Sequence, residues 1–268
     1  MFPHKLPIHF AHANGFPAKT YNKLFSFLEN DFTIGYLERH GHNSNFPVTD
    51  GWRFLKDELC AEIEDCYTEK IVGIGHSLGG ILHFLNAVER PELYRQLILL
   101  DSPLMSRLSE YGFRLMKATG RWKKTPLVRQ TDFRRNFWKS KEEAFNHFKA
   151  KAKFAAFDED VLRDYVNHGT VKTVAGVKLW FDPAVESKIY QTLAHGFAKY
   201  RNRLKVPTAY IGGTNSREAK AARLGFMQKN FPIDFYFIEG THLFPFEKPE
   251  ETAQFIKKVI SQNTSPMQ

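Results

Sequence analysis

The chain contains 268 residues, of which 43% are hydrophobic, and this length and composition predict a single domain with one sizeable core. Its formal net charge is +9, yet no apolar run approaches the roughly 20 residues that a membrane-spanning helix requires. A charged and then apolar leader is also missing from the first residues, so we expect a cytoplasmic protein without stable insertion into a membrane.

Short apolar runs alternate with amphipathic stretches of helical length, which predicts an α/β fold with a mostly parallel sheet of about six strands flanked by helices. The strands are expected near residues 7–11, 32–37, 70–74, 95–101, 206–212 and 233–238.

The stretch 103–205 does not follow this alternation. It is too long for a loop in a compact domain, and several of its segments have helical periodicity. We predict that residues 1–102 and 206–268 form the core and that 103–205 form an inserted helical cap, which would cover a site at the sheet edge.

One glycine-rich segment stands out between a predicted strand and a predicted helix. Residues 75–79 read Gly-His-Ser-Leu-Gly, after the apolar run 71–74 and before the amphipathic stretch 81–85. This arrangement is typical of a nucleophile elbow, in which a sharp turn holds a serine hydroxyl clear of the sheet. We predict that Ser77 is a nucleophile and that the backbone N–H of Leu78 forms half of an oxyanion hole.

A serine nucleophile needs a general base, and with an elbow of this type the chain order is serine, acid, histidine. His242 lies on the loop after the last predicted strand, where an imidazole can reach back to Ser77. We therefore predict that His242 takes the proton of Ser77 and later returns it to the leaving group.

The first predicted loop completes a resemblance to a known family. Residues 8–17 read Ile-His-Phe-Ala-His-Ala-Asn-Gly-Phe-Pro. Together with the elbow and His242, they resemble the α/β-hydrolase family along nearly the whole chain, and the His-Ala-Asn-Gly-Phe-Pro sequence is similar to that of a bacterial branch. The resemblance implies the α/β-hydrolase fold and a second oxyanion N–H from this loop. Two registers remain open, with the donor at Asn14 or at Phe16.

The acid has two candidates. Most family members place it shortly after the strand at 206–212, where this chain reads Gly-Thr-Asn-Ser without a carboxylate. Asp101 ends the strand at 95–101, and some relatives, such as the haloalkane dehalogenase-like enzymes, take their acid from this strand. The resemblance therefore favours Asp101, which would fix the tautomer of His242; its structural alternative is to cap the following turn. Glu218 is the second candidate, although it falls in a predicted helix.

Four histidines besides His242 lie near the predicted loops. We expect His12 to order the oxyanion loop through hydrogen bonds and His76 to pack beneath the elbow. His40 and His42 lie in a turn without nearby cysteines or carboxylates, so we expect a structural role and no metal site.

Aromatic and cysteine residues give weaker indications. Trp180 and Phe181 either line the substrate pocket or simply pack beside a helix start. Cys60 and Cys66 fall in one predicted helix without facing each other, so we expect no disulfide and a buried position for both. Serine chemistry needs no cofactor, and none is predicted.

The positive charge is concentrated in the predicted cap. Residues 103–205 contain 22 Lys and Arg against 10 Asp and Glu, whereas the rest of the chain contains 16 against 19. The excess is either a solvated helical face or a rim that attracts an anionic substrate. The rim would consist of Arg114, Lys117, Arg121, Lys123, Lys124, Arg134 and Arg135. Aromatic residues lie among them, but no nucleic-acid motif accompanies them, so we expect no nucleic-acid partner.

These predictions together describe a capped serine hydrolase. Its substrate would be a small molecule, a carboxylic ester or thioester with a small to medium apolar acyl group, cleaved through Ser77, His242 and Asp101 by way of an acyl-enzyme. Two alternatives stay open. One is a carbon–carbon bond hydrolase or acyltransferase that uses the same residues, and the other is a slow or non-catalytic ligand-binding protein. The sequence does not indicate the oligomeric state.

Overall fold

The computed structural model describes residues 5–264, without the side chains of residues 263 and 264. The predicted core boundaries at residues 1 and 268 therefore lie outside the described residues. The strands are β1 (Leu6–Ala11), β2 (Phe32–Tyr36), β3 (Ile71–His76), β4 (Tyr94–Leu100), β5 (Phe137–Trp138), β6 (Thr170–Thr173), β7 (Gly176–Leu179), β8 (Thr208–Gly213) and β9 (Ile233–Ile238).

Helices lie between most of these strands and follow the last one. The α-helices are α1 (Asn22–Ser26), α2 (Arg53–Cys66), α3 (Leu78–Glu89), α4 (Arg107–Ala118), α5 (Pro126–Asp132), α6 (Lys141–Lys149), α7 (Glu159–Gly169), α8 (Pro183–Gln191), α9 (Arg217–Ala222), α10 (Gly225–Asn230), α11 (Phe244–Glu247) and α12 (Pro249–Thr264). Short 3-10 helices cover Ala18–Tyr21, Asp50–Trp52, Pro91–Leu93, Trp122–Lys124, Ala152–Phe154 and Phe197–Tyr200.

Six of the strands form a parallel sheet in the order β2-β1-β3-β4-β8-β9. Alternate residues of each strand point to opposite faces, so Ile98 and Leu100 join one hydrophobic cluster while Leu97 and Leu99 join the other. Helices α1 and α12 contribute to the first cluster, and α2 and α3 contribute to the second. The predicted fold class, a six-stranded parallel sheet with helices on both faces, is confirmed.

The segment between β4 and β8 contains helices α4 to α8 and also a small antiparallel sheet in the order β5-β7-β6. The sequence analysis expected helices alone. Strands β6 and β7 are four residues each, joined at the pair Thr173 and Gly176, and such short runs have too little alternation to stand out beside the longer helices. In the part of the chain that the structure describes, no helix is long and apolar enough to cross a membrane.

Candidate active site

Ser77 lies on the turn between β3 and α3, with φ 54° and ψ −112°. Its N–H donates to Leu100 O at 3.0 Å, which helps to hold this strained conformation. A β-carbon added at Gly75 would lie 2.3 Å from the backbone of Gly79, and one added at Gly79 would lie 2.0 Å from Ala11 O. The sharp strand-to-helix turn therefore depends on glycine at both positions.

A chain of hydrogen bonds joins the three loops around Ser77. The N–H of Ala13 donates to Tyr21 Oη (3.2 Å), and the Tyr21 hydroxyl donates to His76 Nδ1 (2.7 Å). His76 Nε2 donates to the backbone oxygen of His242 (2.8 Å). Because a carbonyl only accepts, neutral His76 carries its proton on Nε2. Burial lowers the pKa of His76 to about 3, so the ring stays neutral and the chain of bonds stays intact.

The backbone hydrogen bonds of the loop after β1 bear on the two predicted oxyanion registers. Among the described residues, neither Leu78 N–H, at the start of α3, nor Asn14 N–H has a hydrogen-bond acceptor. Phe16 N–H instead donates to Ala13 O (3.1 Å) and closes a turn. Its ring is buried against Phe246, with the centroids 4.9 Å apart. The hydrogen bond that Phe16 N–H already makes favours the Asn14 register, because the described backbone leaves the Asn14 N–H without an acceptor.

Asp101 directly follows β4 and is fully buried. Its Oδ2 lies 3.6 Å from His242 Nδ1, just beyond hydrogen-bond length. Tyr210 Oη donates to Oδ1 (2.9 Å), and Gly213 N–H approaches Oδ2 (3.4 Å). Burial by itself would raise the pKa of Asp101, but His242, Ser216 and Tyr210 together hold it below its usual value. The structure thus places an ionised carboxylate beside the imidazole of His242.

Glu218 occupies a different environment. It is exposed in the first turn of α9, and within residues 5–264 it forms neither a hydrogen bond nor an ion pair with His242. The geometry therefore favours Asp101 as the acid. Tyr210 orients Asp101, but no sequence pattern predicted this contact, because Tyr210 lies inside an apolar strand.

The histidines of the neighbouring loops have structural roles. His12 Nδ1 donates to Ala13 O (2.8 Å), while its Nε2 accepts from the N–H of His40 (2.9 Å). His42 Nε2 accepts from the N–H of Asp182 (3.0 Å). These bonds order the loops after β1 and β2, as expected. Over the residues described, no three His, Cys, Asp or Glu side chains are grouped as metal ligands would be.

Comparisons with known proteins identify the family of this chain. Residues 10–255 match the model of a family described as "Alpha/beta hydrolase family". This chain belongs to the alpha/beta hydrolase family. It is 21% identical to human "Serine hydrolase-like protein 2" over 263 residues, which cover 91% of this chain and 83% of that protein. It is 24% identical to a "Putative esterase/lipase" of Haemophilus influenzae over 253 residues, which cover 93% of this chain and 78% of that protein.

A solved structure gives the same fold. The crystal structure of E-2-(acetamidomethylene)succinate hydrolase matches with a TM-score of 0.77 at 18% identity, over 96% of this chain and 91% of that one. At this identity the likeness establishes the fold of an alpha/beta hydrolase.

In this alpha/beta hydrolase, the segment between β4 and β8 directly contacts the loop after β1, which is the predicted oxyanion loop. Asn14 Nδ2 donates to Glu186 O (3.0 Å), and the Glu186 carboxylate lies against Gly15. Glu186 also forms a largely buried ion pair with Arg134, whose Nη2 donates to Tyr165 Oη (3.1 Å). The sequence analysis placed Arg134 on an exposed rim, and this is corrected: its guanidinium is held inside by Glu186 and Tyr165.

Lys153 approaches the same loop. Its Nζ lies 5.0 Å from the centroid of the Phe16 ring. The residue as a whole is exposed, but crowding around the ammonium lowers its pKa by desolvation. Glu186 and Glu218 act on it only at longer range, and among the described residues no carboxylate lies within ion-pair distance. Lys153 is therefore an unpaired cation beside the loop after β1. The sequence analysis did not single out this residue.

The two candidate pocket residues are occupied by other contacts. The Trp180 ring lies under the guanidinium of Arg39, 4.3 Å from the ring centroid, and its carbonyl accepts from Arg39 Nη1. Phe181 is 1% exposed and packs edge-on against His42 (4.4 Å) and His12 (5.9 Å). These contacts favour the packing interpretation over a pocket lining.

The other cations of the predicted rim are partly paired with carboxylates. Arg114, Lys117 and Arg135 pair with Glu110, Asp50 and Glu143, respectively. Of the proposed rim, Arg121, Lys123 and Lys124 have no ion pair within the described part of the chain.

Both cysteines are free, but Cys66 is exposed and Cys60 is only half-buried, so the expectation that both are buried is wrong. They lie on α2, where neither contributes to the hydrophobic clusters.

Proposed function

We propose that this chain is a serine hydrolase that cleaves a carboxylic ester or thioester of a small to medium apolar acyl group. The observation that carries the proposal is the elbow at Ser77 with the imidazole of His242 next to the buried, ionised Asp101. A serine hydroxyl held on a sharp turn, an imidazole and an orienting carboxylate are the parts that acyl transfer to water requires. The names of the human and Haemophilus relatives are in line with this chemistry.

Three side chains and two backbone N–H groups take part in the proposed reaction. His242 accepts the proton of Ser77 Oγ as that oxygen attacks the substrate carbonyl. The N–H groups of Leu78 and Asn14 bind the oxyanion, and the positive end of α3 adds to this stabilisation. His242 then donates the proton to the leaving alcohol or thiol. In the second half, water loses a proton to His242 and attacks the acyl-enzyme. His242 then returns this proton to Ser77 Oγ as the acid leaves, which restores the starting state. Asp101 stabilises the imidazolium in both halves.

A fluorophosphonate probe and a chain-length series of p-nitrophenyl esters and acyl thioesters test the proposal. We expect one probe molecule per chain, attached to Ser77, together with turnover of the series. The Ser77→Ala variant should take no label, whereas Ser26→Ala, which removes an exposed serine on α1, should label normally. Labelling without ester or thioester turnover would favour carbon–carbon bond hydrolysis or transfer to another acceptor. Absence of both label and turnover would favour a ligand-binding protein.

We also propose that the preferred substrate carries a negative charge near its acyl group. Lys153 supports this, because a partly desolvated ammonium without a carboxylate partner is stabilised when an anion binds next to it.

The Lys153→Gln variant is expected to raise KM about tenfold for a p-nitrophenyl ester whose acyl chain ends in a carboxylate, the equivalent of about 1.4 kcal/mol. The neutral ester of equal length should be unaffected, because it makes no use of the charge. Lys149→Gln is the matched control, since Lys149 pairs with Glu159 on the surface (3.6 Å). Equal changes in KM for both esters would contradict a charge-specific role.

A further inference from the structure

Helix α4 has an outer face that nothing in the described chain covers. Leu108, Tyr111 and Leu115 are 75%, 69% and 67% exposed, and their spacing of three and four residues places them on one side of the helix. The opposite side is anchored, because Phe113 is buried against the Trp122 ring with centroids 4.9 Å apart. The helix is thus fixed in place by its inner face while it presents three large apolar side chains to the outside.

The segment that carries this stripe is positively charged. Residues 107–135 contain nine Lys and Arg against two Asp and Glu. Within the residues that the structure describes, five of the nine cations have no ion pair. These are Arg107, Arg121, Lys123, Lys124 and Arg129.

A groove of about 290 Å³ runs beside the stripe, and Tyr111 forms part of its wall. Three cations line it: Arg107, Arg114 and Lys199. Its single carboxylate, Glu110, is already engaged, because Oε1 pairs with Arg114 (3.4 Å) and Oε2 accepts from the N–H of Gly196 (3.1 Å). The groove therefore has a positive surplus next to an apolar surface.

We propose that α4 docks this protein on the surface of an anionic lipid bilayer. Leu108, Tyr111 and Leu115 enter the boundary between headgroups and acyl chains, and the groove lined by Arg107, Arg114 and Lys199 takes a lipid phosphate. An apolar stripe flanked by Lys and Arg on one helix is the pattern of interfacial binding, and the charge is complementary to an anionic leaflet. Docking of this kind is peripheral, so it needs no membrane-spanning helix. It is also independent of the proposed esterase reaction.

Sedimentation with vesicles tests the proposal on the full chain. We expect binding to vesicles of equal parts phosphatidylcholine and phosphatidylglycerol, weak binding to phosphatidylcholine alone, and loss of the difference at high salt. The double variant L108S/L115S should lower the partition coefficient at least about tenfold, because it removes the apolar contact. The matched control is Val174→Ser, which changes a fully exposed valine on the turn between β6 and β7.

A second variant separates the charge from the apolar contact. K123Q/K124Q should weaken binding to the anionic vesicles by about fivefold per charge while leaving the weak binding to phosphatidylcholine unchanged. All variants should keep the thermal midpoint of the wild type, because the altered side chains are exposed or half-buried and unpaired. Ser77→Ala should bind vesicles as the wild type does, which keeps this test separate from the test of hydrolysis.

Three results would overturn the proposal. The first is no binding to anionic vesicles at low salt. The second is binding that L108S/L115S does not reduce. The third is a concentration-dependent dimer of the wild type that L108S/L115S abolishes, since the stripe would then be a contact between two copies of this chain.

Discussion

Replacing Asp101 with Asn is expected to lower kcat about 10⁴-fold while leaving the fold intact. In the proposed reaction the carboxylate, whose Oδ2 lies 3.6 Å from Nδ1 of His242, favours the tautomer with the proton on Nδ1 and stabilises the imidazolium that forms when Ser77 loses its proton. An amide in its place has no charge and can present an N–H to Nδ1, which would favour the wrong tautomer of His242. Steady-state kinetics with the best ester of the chain-length series measure the loss.

Glu218→Gln is the matched control for this prediction. It changes a carboxylate to an amide in the same way, but at an exposed position on α9 that does not contact His242. Its kcat should stay close to that of the wild type. A large loss in Glu218→Gln together with an active Asp101→Asn would contradict the assignment of the acid.

Acid is expected to destabilise the folded protein strongly, because several buried histidines must stay neutral. Five histidines, His9, His12, His40, His76 and His83, are fully buried. Burial lowers the pKa of His9 and His76 to about 3 and that of His12 to about 4, and it lowers the pKa of His40 and His83 well below the usual value. The folded protein keeps these rings neutral, whereas the unfolded chain protonates them near pH 6.5.

Because of this difference in pKa, acid lowers the free energy of unfolding. Above pH 6.5 the rings of these histidines are neutral in both the folded and the unfolded state, so they do not change the stability. As pH falls from 6.5 toward about 4, only the histidines of the unfolded chain take up protons. Each histidine then lowers the free energy of unfolding by about 1.4 kcal/mol per pH unit. Glu58 acts in the opposite direction, because burial raises its pKa to about 7 and its folded form gains a proton over the same range. Because five histidines oppose one carboxyl group, the free energy of unfolding falls by about 4 to 5 kcal/mol between pH 7 and 5.5.

Such a loss is comparable with the entire stability of many domains, which is about 5–15 kcal/mol. We therefore expect the free energy of unfolding in urea to fall steeply between pH 7 and pH 5.5. His83→Gln, which keeps a polar partner for the Tyr94 hydroxyl, should reduce the slope by about one proton. A free energy of unfolding that stays constant over this range would contradict the neutral, buried state of the cluster.

Much of the fold could be predicted because it depends on local patterns. The six core strands lie within about two residues of their expected positions, since each is a short apolar run between turns. The elbow was also predictable, because Gly75 and Gly79 are required by backbone contacts within a few residues of Ser77 and with the adjacent strand.

The rest of the site depends on residues far apart in the chain. Tyr21 and His76 are 55 residues apart, and Asn14 and Glu186 are 172 apart, so no local pattern could pair them. Arg134 was expected on an exposed rim for the same reason: charge counts do not reveal that Glu186 lies opposite it. Lys153 is one of 22 basic residues in its segment, and only its position over Phe16 distinguishes it from the others.

The hydrogen bonds from Ala13 through Tyr21 and His76 to His242 have a consequence for substrate binding. The loops that carry the proposed oxyanion donor, nucleophile and base are joined into one unit before any ligand arrives. The conformational entropy of ordering them is therefore lost when the chain folds. More of the binding free energy of a substrate is then left for holding its carbonyl against Ser77, which is the benefit of a preorganised site.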